Sequence, residues 1–180
     1  MIQSAPTPTL GSVAPVELLL LRHGIAEARG GAVPEAARAL TARGRERSGA
    51  VLRCLTERGL RAGRLISSPL RRARETAELA VAAGLAPALE LAEALAPGGA
   101  ALAALPTWLE TLEAPPGEWP RLVLVGHEPD LSLLAARLIG APPGSLALRK
   151  AGLALLRLPR SAAPGEASLR LLLSPRLLIG

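Results

Sequence analysis

The sequence predicts an α/β fold, a three-layer α/β/α sandwich with a mostly parallel central sheet. Short runs of branched aliphatic residues alternate along the chain with segments of helical periodicity. The apolar runs are nearly continuous, as expected for strands that are buried on both faces. In such sheets ligands bind beyond the carboxyl ends of the strands. Residues that directly follow a strand are therefore the first candidates for a functional site.

Length and composition predict one domain. We expect a flexible tail over residues 1–15, which has Pro and Thr in alternation and no periodic pattern, and one domain over residues 16–180. No apolar run approaches the roughly 20 residues needed to cross a bilayer, so no membrane partner is expected. Cys54 is the single cysteine, and no cluster of Cys and His at ligand spacing exists. These features fit a cytoplasmic protein without a structural zinc site.

Each predicted element has local signals. Thr41 is a plausible N-cap for the first helix, and Ser68 with Pro69 resembles the start of the second. Glycines mark the expected ends of several helices. The predicted strands are residues 18–21, 64–67, 88–91, 121–125, 146–158 and 168–173; the predicted helices are 41–57, 68–83, 99–112 and 129–140, with a loop at 115–117.

The formal net charge is +6, and of the 21 basic residues only Lys150 is a lysine. The planar fork of arginine suits phosphate, since it donates two hydrogen bonds at once. A compositional bias toward arginine explains the excess equally well. Grooves that bind single-stranded nucleic acid usually add stacking aromatic residues, and this chain has only Trp108 and Trp119. The composition supports anion binding without requiring nucleic acid.

Both histidines stand at the end of an apolar run. Arg22-His23-Gly24 follows one run, and Gly126-His127-Glu128 follows another. If both runs are parallel strands, the two imidazoles face one crevice. Gly24 would let the backbone turn and come close to a ligand. An imidazole pair at one sheet edge is thus the leading functional hypothesis.

A third segment adds an anion site. Residues 67–76 place a capped helix start and Arg72 together, so free backbone N–H groups and a guanidinium could bind one phosphoryl group with Arg22. Ser68 could bond the phosphate or only cap the helix. Arg71 and Arg74 flank Arg72 on the same helix, but their side chains point elsewhere and are expected to be solvated.

These blocks resemble the histidine phosphatase superfamily, also called phosphoglycerate mutase-like, and most closely its short SixA-type phosphohistidine phosphatases. The likeness spans about residues 18–158. The nucleophile motif of the family is similar to Arg22-His23-Gly24, and its second arginine motif is similar to Ser68-Pro69 with Arg72 and Thr76. The second histidine motif is similar to Gly126-His127-Glu128-Pro129. A late segment of the short branch is similar to Lys150-Ala151-Gly152.

The resemblance implies a two-step reaction. His23 would attack phosphorus as a neutral nucleophile, and water would hydrolyse the phosphohistidine. Arg22, Arg72 and His127 would stabilise the charge on the phosphoryl oxygens. Gly24 and Ser68 would also bind phosphate. The resemblance implies no metal and no organic cofactor, and it implies inorganic phosphate as the product.

The sequence offers one candidate for a general acid. Larger relatives place a Glu after the third strand, and Glu93 has a similar place, although a surface position explains it equally well. A phosphohistidine substrate needs such an acid less than an ester does, because the leaving imidazole can be protonated on its distal nitrogen. The Asn that mutase relatives carry after the first block is absent, and 180 residues leave no room for a substrate cap. An open site is expected.

Three functions remain open at this stage. The first is a phosphatase that acts on a phosphorylated histidine phosphotransfer protein. The second is a phosphomonoesterase that acts on a small phosphate ester, with Glu93 as its acid. The third is a non-catalytic module that binds phosphate or nucleic acid through its basic surface. The intact set of predicted catalytic residues favours the two enzymes.

Overall fold

The computed structural model describes residues 14–30, 33–113 and 119–180. Six strands and five helices follow one another in these ranges. The strands are β1 (Val16–Arg22), β2 (Arg64–Ser67), β3 (Glu90–Leu91), β4 (Arg121–Gly126), β5 (Leu153–Leu158) and β6 (Ser168–Leu173); the helices are α1 (Ala42–Glu57), α2 (Arg71–Ala82), α3 (Ala101–Glu110), α4 (Asp130–Ile139) and α5 (Pro175–Ile179). Short 3-10 helices at Glu35–Ala37 and Glu93–Leu95 complete the set.

The six strands form one sheet in the order β3-β2-β4-β1-β5-β6. The pairs β3–β2, β2–β4 and β4–β1 are parallel, whereas β5 runs antiparallel to both β1 and β6. The predicted mostly parallel sheet is confirmed. Because β4 lies between β1 and β2, the carboxyl ends of these three strands meet at one edge.

Helices cover both faces of the sheet, which confirms the three-layer architecture. Side chains alternate along β1, so that Leu18 and Leu20 join a core with α3 and α4, while Leu19 and Leu21 join a second core with α1 and α2. All four leucines are at most 1% exposed. The central strands are thus buried on both sides, as their continuous apolar runs predict.

Several predicted bounds are confirmed. Thr41 caps α1, since its Oγ1 accepts the Gly44 N–H at 3.0 Å. Strand β2 has the predicted bounds, and α4 ends at Gly140 in the left-handed conformation. The predicted helix 99–112 is shorter at both ends, and the predicted strand 88–91 is reduced to the exposed pair Glu90–Leu91.

Two predictions are wrong in ways that bear on the site. Helix α2 begins at Arg71, not at Ser68, and has Leu70 at its N-cap. The predicted strand 146–158 begins only at Leu153, because Ala151 has a φ of 58° and the Gly152 N–H turns back to the Arg149 carbonyl at 2.6 Å. A turn at residues 149–152 therefore replaces the first half of that strand.

The predicted tail, residues 1–15, falls almost entirely outside the described residues, as does the predicted loop at 115–117. Strand β1 begins at Val16, where the sequence predicts that order begins. Among the described residues, no helix has both the length and the apolar character that a bilayer crossing requires.

Candidate active site

The candidate site lies at the edge where three parallel strands end. His23 follows β1, Ser68 follows β2 and His127 follows β4. The strand register brings Arg22 beside Gly126 and Ser67 beside Val125. The backbone continues this pairing for one more step, since the His23 N–H donates to the Gly126 carbonyl at 3.1 Å and the Ser68 N–H donates to the Val125 carbonyl at 2.9 Å. Residues distant in sequence thus become neighbours.

Arg72 joins the two imidazoles. The ring centroids of His23 and His127 lie 5.1 Å apart with 55° between the ring planes. The Arg72 Nε lies 3.3 Å from the His23 Nε2, and its NH2 lies 3.3 Å from the His127 Nδ1. Together with Arg22, these three side chains line a cavity of about 370 Å³. The structure thus brings together the four residues that the sequence predicts to share a phosphoryl site.

The hydrogen bonds of His23 determine which ring nitrogen carries the proton. Its Nδ1 lies 2.7 Å from the Gly24 carbonyl oxygen, which can only accept, so Nδ1 carries the hydrogen. In the neutral ring Nε2 then has a lone pair, and it accepts the Arg72 Nε–H. That nucleophilic nitrogen belongs to a ring that lines the cavity. A carbonyl that fixes the tautomer of the nucleophile is a common device in histidine chemistry.

His127 has the opposite tautomer. A guanidinium can only donate, so Nδ1 of His127 accepts from Arg72. In the neutral ring Nε2 therefore carries the hydrogen and donates to the Ser68 Oγ at 2.8 Å. Ser68 is fully buried, and its Oγ also accepts the Leu70 N–H at 3.3 Å. Ser68 thus positions His127 and the turn that leads into α2.

Burial keeps both imidazoles neutral. It lowers the pKa of His23 to about 3, with further lowering by electrostatic repulsion from His127, when that ring is protonated, and from Arg72 and Arg22, although the bond to the Gly24 carbonyl acts in the other direction. Burial and then Arg72 lower the pKa of His127 to about 4. At neutral pH the lone pair of His23 is therefore available for attack on an electrophile.

Glu35 holds Arg72 in place. The Arg72 NH1 donates to the Glu35 carbonyl at 2.8 Å, and the NH2 lies 3.2 Å from the Glu35 carboxylate. That carboxylate also receives two hydrogen bonds from Arg38, at 2.8 and 2.5 Å. Hydrogen bonding from Arg38 lowers the pKa of Glu35, which keeps the carboxylate ionised. Glu35 is not predicted from the sequence, because no local pattern links the loop after β1 to helix α2.

Two buried residues of α2 orient the helix against this loop. The Glu75 carboxylate accepts the Leu40 N–H at 2.7 Å and pairs with Arg45 and Arg71 at 2.7 and 2.9 Å. Burial raises the pKa of Glu75, but these hydrogen bonds outweigh it and lower the pKa. Thr76 accepts the Gly24 N–H at 3.1 Å. Arg71, expected to be solvated, is half-exposed and ion-paired with Glu75.

The turn at residues 149–152 holds the other side of the site. The Ala151 N–H donates to the carbonyls of both Arg22 and His23 at 3.1 Å, and the Arg22 N–H donates to the Gly152 carbonyl at 3.0 Å. The Arg22 NH1 donates to the Leu148 carbonyl at 2.7 Å. These bonds orient the guanidinium of Arg22 and the nucleophile beside it.

Gly24 and Ser68, predicted to bind phosphate, lie behind the imidazoles and do not line the cavity. The Gly24 N–H and carbonyl are already bonded to Thr76 and to the His23 ring. A Cβ at Gly24 would lie 2.3 Å from the Ser48 Oγ, so the position has no room for a side chain. Both residues position the histidines and do not contact the cavity.

Glu93 is not with the other predicted residues. It is exposed in the 3-10 helix Glu93–Leu95, where Leu95 turns into the core and leaves the carboxylate toward solvent. The same loop reaches the cavity through Pro97. The carboxylates that do line the cavity belong to Glu35 and Glu128. Glu128 also accepts the Ser132 N–H at 3.2 Å, as expected for an acid near the start of α4.

The arrangement suits the transfer of a dianionic group. A neutral ring nitrogen, whose lone pair is held only by a hydrogen bond from Arg72, stands beside two guanidiniums and a second imidazole that can be protonated when a negative charge arrives. Among the described residues, no three His, Cys, Asp or Glu side chains are grouped so that they could hold a metal ion.

Comparisons with known proteins identify the relatives of this chain. The family model for the histidine phosphatase superfamily (branch 1) matches residues 18–96. An uncharacterised protein of Picosynechococcus is 41% identical over 167 residues, which cover 91% of this chain and 99% of the relative. The chain belongs to the histidine phosphatase superfamily. The matched residues of the superfamily model include Arg22, His23 and Arg72.

Solved structures of other histidine phosphatases share the fold. The protein histidine phosphatase SixA, solved with tungstate, has a TM-score of 0.76 and 23% identity, with coverage of 91% of this chain and 99% of SixA. A mycobacterial glucosyl-3-phosphoglycerate phosphatase has a TM-score of 0.62 and 19% identity, with coverage of 88% and 98%. The sequence-based expectations of this fold and of a phosphatase enzyme are confirmed. The names of these two proteins give different classes of substrate, a protein for the first and a small phosphate ester for the second.

Proposed function

We propose that this histidine phosphatase hydrolyses protein phosphohistidine through a covalent intermediate on His23. The observation that carries the proposal is the Nε2 lone pair of His23, which lies 3.3 Å from the Arg72 guanidinium in a cavity that Arg22 also lines. The single cysteine, Cys54, is buried and unpaired, which fits the cytoplasm as the cellular location.

In the first step the His23 Nε2 attacks phosphorus, and the bond from phosphorus to the ring nitrogen of the substrate breaks. The electron pair of that bond leaves with the substrate imidazole, which departs as a neutral ring because its distal nitrogen takes a proton from solvent. His23 becomes positively charged on phosphorylation. Its Nδ1–H donates to the Gly24 carbonyl at 2.7 Å, and this bond strengthens as the charge develops.

The cations stabilise the transferred group. Charge in the transition state resides on the three equatorial oxygens, so positioned donors supply most of the rate enhancement. Arg72 exchanges its bonds to the two imidazoles for bonds to phosphoryl oxygens. The arriving dianion raises the pKa of His127, which takes a proton at Nδ1 and becomes a third donor. Ser68 keeps the ring in place through Nε2.

In the second step water attacks phosphorus, the bond to the His23 Nε2 breaks, and inorganic phosphate leaves with the neutral imidazole restored. No acid is needed at the leaving atom when that atom belongs to an imidazole. The absence of Glu93 from the cavity lining is therefore compatible with phosphohistidine as the substrate.

A test follows from the intermediate. A histidine phosphotransfer domain carrying radiolabelled phosphohistidine is mixed with the protein, and the reaction is stopped in alkali, where phosphohistidine survives. Label should appear on the protein and phosphate should be released, whereas His23→Asn should show neither. Release of phosphate from small esters with none from the phosphorylated domain would contradict the proposal.

A second candidate is a phosphomonoesterase for small phosphate esters. It is favoured by Glu128, a carboxylate that lines the cavity and that could protonate an alkoxide leaving group. Glu35 is unsuited to this role, because Arg38 lowers its pKa and keeps it ionised. Glu128→Gln should then lower kcat for p-nitrophenyl phosphate less than kcat for an alkyl phosphate, whose leaving group needs the proton more.

A further inference from the structure

A second and larger cavity adjoins the candidate active site. Its volume is about 600 Å³, and it shares Arg22 with the catalytic cavity. Its charged lining consists of five basic residues and no carboxylate: Arg22, Arg47, Arg149, Lys150 and Arg176. We call it the basic cavity. Four separate parts of the fold build it, namely the end of strand β1, helix α1, the turn at residues 149–152 and helix α5.

The cations of the basic cavity are not neutralised within the protein. Among the described residues, none of the five forms an ion pair with a carboxylate. Arginines elsewhere do so at short range, as Arg45 with Glu75 at 2.7 Å and Arg64 with Glu90 at 2.7 Å. The basic cavity therefore presents a net positive charge, which attracts anionic ligands.

Two donors in the basic cavity are buried without a partner. The Nε atoms of Arg22 and Arg47 are inaccessible to solvent and form no hydrogen bond within the part of the chain that the structure describes. Burial lowers the pKa of Arg22, and the nearby positive charge of Arg149 lowers it further, although Glu128 acts in the opposite direction. A cluster of like charges of this kind is costly, and an anion bound among them would relieve the repulsion.

The basic cavity shares lining residues with the cavities around the catalytic residues. Lys150 lines both the basic cavity and a third cavity of about 280 Å³, which His23 also lines. Arg22 lines all three. Groups that flank a phosphoryl group at His23 would therefore lie close to the basic cavity.

We propose that the basic cavity binds acidic side chains that flank the phosphohistidine of a protein substrate. This inference rests on the proposed function and adds what the substrate must carry beside its phosphoryl group. Sites for small molecules are usually enclosed and mostly apolar. The basic cavity is open to solvent and its lining is mainly charged, which suits the carboxylates of a protein surface better.

Two synthetic peptides provide the probes. Each carries a central phosphohistidine, flanked in one by four Glu and in the other by four Gln. The protein should hydrolyse the Glu peptide with a kcat/KM about 10-fold higher than that of the Gln peptide, a factor typical of a few exposed charge pairs. Raising the salt concentration should reduce this preference, because exposed charges are screened.

A charge-matched pair of variants locates the effect. The variant Arg47→Gln/Arg149→Gln/Arg176→Gln should reduce the preference to about 2-fold or less, with a larger loss of kcat/KM for the Glu peptide than for the Gln peptide. The control Arg53→Gln/Arg61→Gln/Arg170→Gln removes the same number of charges at exposed positions that line none of the three cavities. The control should retain the full preference. Arg176→Gln alone, on exposed helix α5, provides a milder variant that should lower the preference partially.

Several results would overturn the inference. Equal hydrolysis of the two peptides would do so, as would a preference that both triple variants reduce to the same extent. Pyrophosphate serves as a small anionic inhibitor of the hydrolysis. If the Arg47, Arg149 and Arg176 triple variant keeps the preference for the Glu peptide but is no longer inhibited by pyrophosphate, the basic cavity is a site for small molecules instead.

Failure of the proposed function would look different. The protein would then hydrolyse p-nitrophenyl phosphate but neither peptide. In that case the unphosphorylated peptides are compared as inhibitors of p-nitrophenyl phosphate hydrolysis. Stronger inhibition by the Glu peptide, lost in the Arg47, Arg149 and Arg176 triple variant, would still support the basic cavity as a site for acidic side chains, and equal inhibition would reject it.

Discussion

The two ends of strand β1 show opposite uses of buried arginine. At its start, Glu17 pairs with Arg121 at 2.5 Å and with Arg157 at 3.0 Å, and Arg157 also stacks 4.1 Å from the Trp119 ring. At its end, Arg22 and Arg72 surround a cavity with two neutral imidazoles. The arginines at the first end are paired with a carboxylate within the protein, whereas donors at the second remain available to a ligand.

This difference shows that pairing within the fold, and not the number of arginines, separates structural from functional cations. Arg121 is buried, as Arg72 is, yet its guanidinium donates four hydrogen bonds, two to Glu17 and two to the carbonyls of Gly59 and Arg61. At the other end Glu35 contacts Arg72 from one side only, and the remaining donors face imidazole nitrogens that a phosphoryl group can displace.

The largest expected effect is on turnover at the carboxyl end of the sheet. His23→Asn removes the nucleophile and should lower kcat by at least about 10³-fold, because no covalent intermediate can form. Phosphate release from a phosphohistidine substrate measures the loss, and circular dichroism checks the fold. Residual activity within 10-fold of the unmodified protein would exclude His23 as the nucleophile.

At the amino end the expected effect is on stability. Arg121→Gln leaves the Glu17 carboxylate buried without its main partner and should cost about 3–5 kcal/mol in the free energy of unfolding. Arg157→Gln, at a side chain that is 30% exposed, should cost about 1 kcal/mol or less. Urea denaturation compares the two. Similar losses would mean that Arg121 is not the dominant partner of Glu17.

Arg72 should affect catalysis more than its exposed neighbour does. Arg72→Ala removes a donor to the phosphoryl oxygens and should lower kcat/KM by about 10²–10³-fold. Arg74, on the same helix, pairs with Glu78 at the surface, so Arg74→Ala should change kcat/KM by about 2-fold at most. Steady-state kinetics on one substrate gives both ratios, and equal losses would contradict a specific role for Arg72.

The site should also make the protein less stable in mild acid. The pKa values are about 3 for His23 and about 4 for His127, against about 6.5 in the unfolded chain. Below pH 6.5 the unfolded state therefore binds more protons than the folded state, and the stability of the folded state decreases as the pH decreases. Between about pH 6.5 and 5 the free energy of unfolding should fall by about 3 kcal/mol.

The chain has only 2 histidines, so this window belongs to them. Carboxylates with lowered pKa, such as Glu35 and Glu75, lose their contribution only at lower pH. The variant His23→Asn/His127→Asn should give a flat stability profile between pH 6.5 and 5. An unchanged slope in that variant would mean that the histidines are protonated in the folded protein as well.

The smallest expected effect is at Glu93. Glu93→Gln should change kcat by less than about 2-fold with phosphohistidine or ester substrates, because the side chain is exposed and lies outside the cavity lining. Glu128→Gln is the matched comparison, since Glu128 lines the cavity. A large loss with Glu93→Gln would require the loop after β3 to move toward His23 during the reaction.

Much of the fold could be predicted from local signals. Thr41 caps α1 because its hydroxyl satisfies a free N–H, and β1 and β4 are central because their leucines and valines leave no polar face. The misplaced start of α2 has a specific cause. Ser68 has the right chemistry for a cap, but its Oγ accepts a hydrogen bond from the His127 Nε2. This bond joins the residues that follow two neighbouring strands, and no local pattern encodes it.

The sequence alone determined the order of strands and helices from β1 to β6, the types of residue that follow three of these strands and the likeness to histidine phosphatases, because each depends on neighbours along the chain. Only the tertiary structure decided which arginines pair with a carboxylate. The ion pairs of Arg72 with Glu35 and of Arg121 with Glu17 join residues that are 37 and 104 positions apart. The ring tautomers, the exclusion of Glu93 and the charge of the basic cavity depend on such contacts, which arise only when the strands assemble into the sheet.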